Sequence, residues 1–192
     1  MRRCLLHRLV TYIPQDDMEL TMLTHFAKAA FALTLALVLT APASAQDIPA
    51  PTGTPILTIS GDINTTNDGD TLVLDADTFA ALGTQSIETS TIWTDGVNTF
   101  EGVSLKTLTD LVGADSGQLL ASAINDYTVE IPVSDAVEGG PIVAYRLNGD
   151  EMSVRNKGPL WIIYPYDQSA DYRTEVIYSR SIWQLDRIEV VR

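Results

Sequence analysis

From residue 55 onward the chain is cut into short apolar and β-branched runs by turn signals, at a spacing that leaves little room for long helices. Ile56 to Ser60 and Thr71 to Leu74 read as strands, and Ser86 to Trp93 as extended chain. Leu119 to Ile124 and Tyr127 to Ile131 flank an Asn125-Asp126 turn. Ile142 to Leu147 runs into Asn148-Gly149, a strong signal for a tight hairpin. Leu160 to Tyr164 and Ser181 to Val190 complete the set. Two helices interrupt it, a brief one over Asp77 to Leu82 closed by Gly83 and a firmer one over Ser104 to Val112. In the second, Ser104 caps the start, Leu105, Leu108, Leu111 and Val112 share a face, and Gly113 ends it. In the last strand Trp183 and Leu185 are odd while Ile188 and Val190 are even, so a bulge near Asp186-Arg187 is predicted to bring both pairs to the core. The expectation is an α+β domain, mixed and mainly β, with a few short helices.

The apolar run Ala29 to Thr40 follows Lys28 and precedes Ala43-Ser44-Ala45, the small-x-small pattern of a signal-peptidase site. It is short for a bilayer span. Asp16, Asp17 and Glu19 put acid where a signal peptide carries positive charge, so Met22 is the better start and the first 21 residues read as a misassigned extension. The expected organisation is a signal peptide with that extension over 1–45, a Pro-rich arm over 46–55 and one domain over 56–192, delivered to the periplasm. Cleavage after Ala45 has a chemical consequence, because Cys4, His7 and His25 are the chain's only Cys and His residues. A chain beginning at Gln46 has no thiol nucleophile, no disulfide, no Cys or His metal ligand and no Ser-His mechanism.

From Gln46 on, eight Lys and Arg stand against 22 Asp and Glu, a formal charge of −14, which makes nucleic acid an unsuitable partner. The charge is segregated. Gln46 to Tyr145 holds 15 acids and only Lys106, whereas Arg146 to Arg192 holds seven of each sign. An anionic group is expected to land on the C-terminal third.

The stretch RNKGPLWIIYPYD, Arg155 to Asp167, sets two cations and an Asn before a Gly-Pro turn and an aromatic strand. With FEGVSL (Phe100 to Leu105), NDY (Asn125 to Tyr127), LNGDEMSVRNKGPLWIIYP (Leu147 to Pro165) and SRSIWQLDRIEV (Ser179 to Val190), it forms an ordered set. That set resembles the oxidoreductase molybdopterin-binding domain, the core fold of sulfite oxidase, over nearly all of the chain after Ala45. The resemblance implies a sulfite oxidase-like architecture with a pterin-sized cleft formed by loops at one end of the sheets. The family's enzymes hold molybdenum through a cysteine located between the Ser86 to Trp93 strand and the Gly-Val helix entrance. Here that interval reads TSTIWTDGVNTFEGV, and Thr89, Ser90 and Thr91 do not replace a thiolate. The histidine that commonly precedes the Gly-Pro turn is Lys157. The chain is similar to cysteine-less, stand-alone periplasmic members that look like pterin-binding sensors for membrane signalling proteins.

A pterin is a flat heterocycle with an amide-like edge, so its site needs aromatic faces and matched polar groups. Trp93, Asn125, Asp126, Tyr127, Arg155, Asn156, Lys157 and Trp161 supply that inventory. Each also has a plainer reading. Asn125-Asp126 is accounted for by turn chemistry, Arg155 and Lys157 by surface ion pairs, Arg155 with Asp126 or Glu151, and Trp161 equally by the core. Trp183, beside Leu185 and Ile188, reads as a core residue. Three functional readings follow. The first is a non-catalytic pterin-binding accessory, without molybdenum, that regulates the periplasmic domain of an inner-membrane signalling protein such as a cyclic-dinucleotide enzyme or a sensor kinase. The second is a periplasmic oxidoreductase dependent on molybdenum or a pterin cofactor, and the third an interaction domain with a vestigial cleft.

Overall fold

The computed structural model describes residues 48–192, and the expected signal peptide and its cleavage after Ala45 lie outside them. The described chain runs β1 (Pro55–Gly61), β2 (Leu72–Asp75), α1 (Ala76–Ala81), β3 (Thr84–Thr91), β4 (Thr94–Ser104), α2 (Leu105–Val112) and β5 (Gln118–Ala123). It continues through β6 (Thr128–Pro132), β7 (Ile142–Leu147), β8 (Asp150–Glu151), β9 (Leu160–Ile163), α3 (Glu175–Arg180) and β10 (Trp183–Val191). Among these residues no helix is long and apolar enough to cross a membrane.

The strands form one mixed sheet in the order β2-β1-β10-β9-β7-β4-β3, with β5 pairing both β10 and β6, and β8 pairing β7. Among the described residues only the β1–β10 pair is parallel. Strand β10 holds the sheet together because it changes partners along its length. Trp183 and Leu185 pair with Trp161 and Leu160 of β9, whereas Arg187 to Val190 pair with Thr58 to Gly61 of β1. Along the other edge Leu185 to Val191 pair with β5, and the register shifts between Leu185 and Arg187. That is the predicted bulge, and it brings Leu185, Ile188 and Val190 all to buried positions. The sequence pattern also holds at α2. Ser104 Oγ accepts from the Thr107 backbone N–H at 2.9 Å, Leu105, Leu108 and Val112 are buried, and Gly113 closes the helix at φ 72°. Asn148 and Gly149, at φ 53° and 86°, turn β7 into β8 as a two-residue hairpin loop.

Two elements differ from the sequence reading. Thr94 to Ser104 is an 11-residue strand, so the interval around Trp93 is the tip of a long β3–β4 hairpin rather than a loop before a helix. Glu175–Arg180 is a helix capped by Thr174, in a segment between two expected strands to which the sequence reading gives no element. Over the described residues the Pro-rich arm is fastened to the domain. Ile48 is buried, the backbone N–H groups of Thr52 and Gly53 donate to Asp75 Oδ2 at 2.9 and 2.8 Å, and Asn67 Nδ2 donates to the Pro49 carbonyl. Asp75 also closes a capping box with Thr78, and these hydrogen bonds, led by the Thr78 hydroxyl, hold its carboxyl well below the usual carboxylate range.

Candidate functional site

Four pieces of chain meet at one end of β10 and β5. They are the β3–β4 tip carrying Trp93, the β5–β6 turn carrying Asn125 and Tyr127, the α3–β10 junction with Tyr178, Ser179, Ser181 and Ile182, and the first residues of β10, Trp183 and Gln184. With Ala123 they enclose a cleft of about 270 Å³. No side chain lining it among the described residues carries a formal charge at neutral pH.

Trp93 is central. Its ring lies edge-on to Trp161 at 5.8 Å, Tyr166 at 6.3 Å, Tyr178 at 5.7 Å and Trp183 at 5.7 Å between centroids. Edge-to-face pairs of this spacing each contribute about 0.5–1.5 kcal/mol beyond the area they bury. The hairpin tip is also pinned by polar contacts. Thr91 Oγ1 accepts from the Trp93 backbone N–H at 3.0 Å and lies 2.8 Å from Thr94 Oγ1, and Asn98 Nδ2 donates to Thr94 Oγ1.

A buried polar layer supports the aromatic wall. Tyr166 donates to Ser181 Oγ at 2.6 Å, Ser181 Oγ donates to the Ile177 carbonyl at 2.8 Å, and Trp161 Nε1 donates to the Ser181 carbonyl at 3.1 Å. Next to it Tyr164 and Arg180 both donate to Asp135 Oδ2 at 2.8 Å, locking α3 against the turn after β6. Burial pushes the Tyr166 phenol up to about 12, and burial together with the Asp135 carboxylate carries Tyr164 higher still. Both tyrosines are therefore fixed neutral donors, and neither offers a proton for chemistry near neutral pH.

The eight residues singled out in the sequence fall into three groups. Trp93, Asn125 and Tyr127 line the cleft. Asp126 and the cluster Arg155, Asn156 and Lys157 stand outside its lining. Asp126 Oδ1 accepts from Arg187 Nη2 at 2.7 Å, so Arg187 and not Arg155 is its partner. Arg155 and Asn156 are exposed on the 3-10 turn Val154–Asn156, and Arg155 makes no ion pair among the described residues. Lys157 Nζ sits 4.8 Å from the Trp183 ring centroid and 5.3 Å from that of Trp161, as a cation over aromatic faces. Trp161 forms the third group. It has no accessible surface and packs behind the cleft against Trp93, Phe100 and Trp183.

Trp183, expected in the core, is 38% exposed and lines the cleft. The cause is a second register shift, between Trp183 and Leu185, with Gln184 at φ 55°. This turns the indole out of the face that Leu185 occupies. Tyr178, Ser179 and Gln184 were also missed as lining residues. The signal for Ser179 and Gln184 was their place in the SRSIWQ segment of the family-like pattern, and Tyr178 lies one residue before it.

The donor set does not fit a metal held by this chain through sulfur. Among the described residues there is no Cys or His, and no group of three His, Cys, Asp or Glu side chains close enough to hold an ion. The three hydroxyls in the interval of the family cysteine are engaged within the protein. Thr89 Oγ1 accepts from the Asp167 N–H, the Ser90 backbone and hydroxyl both donate to the Asp167 carboxylate, and Thr91 contacts Thr94. The Ser90 backbone N–H leads the contacts that hold the Asp167 carboxyl below its ordinary range, so this clamp stays ionised.

Comparison with known proteins agrees with the architecture. The family model of the oxidoreductase molybdopterin binding domain matches residues 80–172. Among solved structures, the chain is similar to the crystal structure of the sulfane dehydrogenase SoxCD from Paracoccus pantotrophus. The TM-score is 0.51 and the identity 15%, over 70% of this chain and 37% of that chain. At that identity the likeness shows the fold alone, and the match spans little more than a third of the enzyme chain. No curated protein matches. Residues 80–172 match the oxidoreductase molybdopterin-binding domain, and the fold around them is sulfite oxidase-like.

Proposed function

We propose that this domain binds a pterin-type heterocycle in the aromatic cleft and acts as a periplasmic binding module, without catalysing redox chemistry of its own. The observation that carries the reading is the combination of a cleft of about 270 Å³ walled by Trp93, Tyr127, Tyr178 and Trp183 with the absence of a thiolate from the interval where the family holds its metal. A flat ring system gains stacking area there, and Asn125, Ser179 and Gln184 offer polar partners for its edge. The molybdopterin-binding family supplies the ligand class, and the missing thiolate separates ring binding from metal binding.

A module of this kind acts through its surface. Ligand occupancy shifts a partner only by the difference in affinity between loaded and empty forms. The proposed partner is the periplasmic domain of an inner-membrane signalling protein, a cyclic-dinucleotide enzyme or a sensor kinase. The test is mass analysis of small molecules that co-purify with protein isolated from the periplasm, followed by titration of the emptied protein with pterins. A bound pterin, lost on Trp93→Ala and Trp183→Ala in folded protein, supports the reading. Stoichiometric molybdenum with sulfur-compound oxidation or sulfoxide reduction would overturn it in favour of the oxidoreductase, and an empty cleft that takes up no pterin would leave the interaction domain.

A further inference from the structure

Gln184 sits at φ 55°, a backbone region that residues other than Gly, Asn and Asp rarely occupy. Three hydrogen bonds hold it there. Its N–H donates to the Lys157 carbonyl at 2.9 Å, its carbonyl accepts from the Ile124 N–H at 2.9 Å, and its side-chain Nε2 donates to the Val154 carbonyl at 2.7 Å. The last bond fixes which end of the amide is free. With one Nε2 hydrogen committed to Val154, Oε1 of this cleft-lining residue has no protein partner among the described residues. Of the serine hydroxyls in the lining, Ser181 Oγ accepts from Tyr166 and donates to the Ile177 carbonyl, and Ser179 Oγ, which donates to the Val176 carbonyl, keeps acceptor capacity but lacks the backbone anchoring of Gln184. Asn125 Oδ1 accepts only a long bond of 3.3 Å from the Tyr127 N–H, on an exposed turn.

We propose that Gln184 is the specificity-determining residue of the cleft, a fixed neutral acceptor that requires its ligand to present a ring-edge N–H. The inference rests on the pterin reading above and narrows it. The accepted ligands are neutral heterocycles with an N–H at the lactam nitrogen or on the adjacent exocyclic amine, and rings alkylated or deprotonated there are rejected. An acceptor held by the backbone discriminates better than a mobile one, because a ligand lacking the donor leaves it desolvated and unpaired.

The experiment uses the full protein as purified, emptied of bound small molecules. Pterin and two N-methylated analogues, one blocked at the lactam nitrogen and one dimethylated at the exocyclic amine, are titrated against wild type and Gln184→Gly. Glycine keeps the left-handed backbone while removing the amide. Wild type should bind at least one analogue about tenfold more weakly than pterin. Gln184→Gly should bind that analogue and pterin alike. The wild-type comparison needs no variant and decides the matter even if Gln184→Gly does not fold. Equal binding of all three ligands by wild type overturns the acceptor role while leaving the pterin reading in place, and failure of wild type to bind pterin overturns both.

Discussion

Trp161 and Trp183 are paired across β9 and β10, yet one is sealed in the core and the other faces the cleft. Their substitutions should separate. Trp161→Ala removes a fully buried indole and its bond to the Ser181 carbonyl, and is expected to cost about 3–5 kcal/mol in chemical denaturation. Trp183→Ala gives up edge-to-face contacts with Trp93 and Trp161 and should cost less, about 1–3 kcal/mol, while weakening ligand binding in the same preparation. Arg155→Ala should leave the fold intact, since its side chain is exposed and makes no ion pair among the described residues. Wild-type pterin affinity in that variant would show that Arg155, which stands outside the lining, has no part in binding. Asp186 gives a pH prediction. Arg187 Nη1 lies 3.1 Å from its carboxylate, but Oδ1 is buried without a hydrogen-bond partner among the described residues, and burial raises the pKa. A carboxyl whose folded pKa lies above its unfolded value contributes stability at low pH that is lost as pH rises through the folded value. Asp186→Asn should therefore be more stable than wild type at neutral pH, with the difference shrinking toward acid in denaturation midpoints across that range. Legibility at this scale was uneven. Trp93, Asn125 and Tyr127 could be picked out by residue type beside a turn, whereas Trp183 alternates with Leu185 in sequence and looks like core until the strand register is known.

At the level of elements, the family-like FEGVSL segment is the end of β4 and leads directly into α2 at Leu105, and its glycine has a packing role. A Cβ at Gly102 would collide with the backbone of Val143 and Ala144 in the paired strand β7. Gly102→Ala should cost about 1–3 kcal/mol by overpacking, read from the denaturation midpoint. Ser104→Ala, two residues on, removes the α2 cap and should cost about 1 kcal/mol. The helix α2 and most strands could be read from periodicity and turn residues, because caps and hairpin turns are local chemistry. Strand β4 escaped because TDGVNTFEGVS mixes turn formers with few apolar residues. Its pairing with β3 and β7 supplies what local propensity does not. Helix α3 escaped for a related reason. At six residues it is too short to form alone, and it is held by Ile177 in the core and by the Arg180–Asp135 pair.

For the whole molecule, the excess of carboxylates sets the long-range field. Association with a basic partner surface should be fast at low ionic strength and slow with added salt, and loaded and empty forms should differ in affinity if occupancy is what the partner reads. Titration of both forms against candidate periplasmic domains at two salt concentrations checks this, and equal affinities would exclude the signalling role while leaving ligand binding untouched. Intact-mass analysis of the exported protein should give a chain beginning at Gln46 and unreactive toward thiol reagents. The sequence by itself determined the inventory. It fixed which chemistries are absent after Ala45, the charge and its segregation, the caps and turns, and the ordered pattern of the family, because each depends on residue type and near neighbours. Only the tertiary structure decided which aromatic rings wall the cleft and which lie behind it, that Asp126 is taken by Arg187, and that Gln184 is held at φ 55° with its Nε2 on the Val154 carbonyl. Those outcomes depend on strand register and on hydrogen bonds between residues far apart in the chain. A one-residue shift at Gln184 reverses the face of a strand without changing anything in the composition around it.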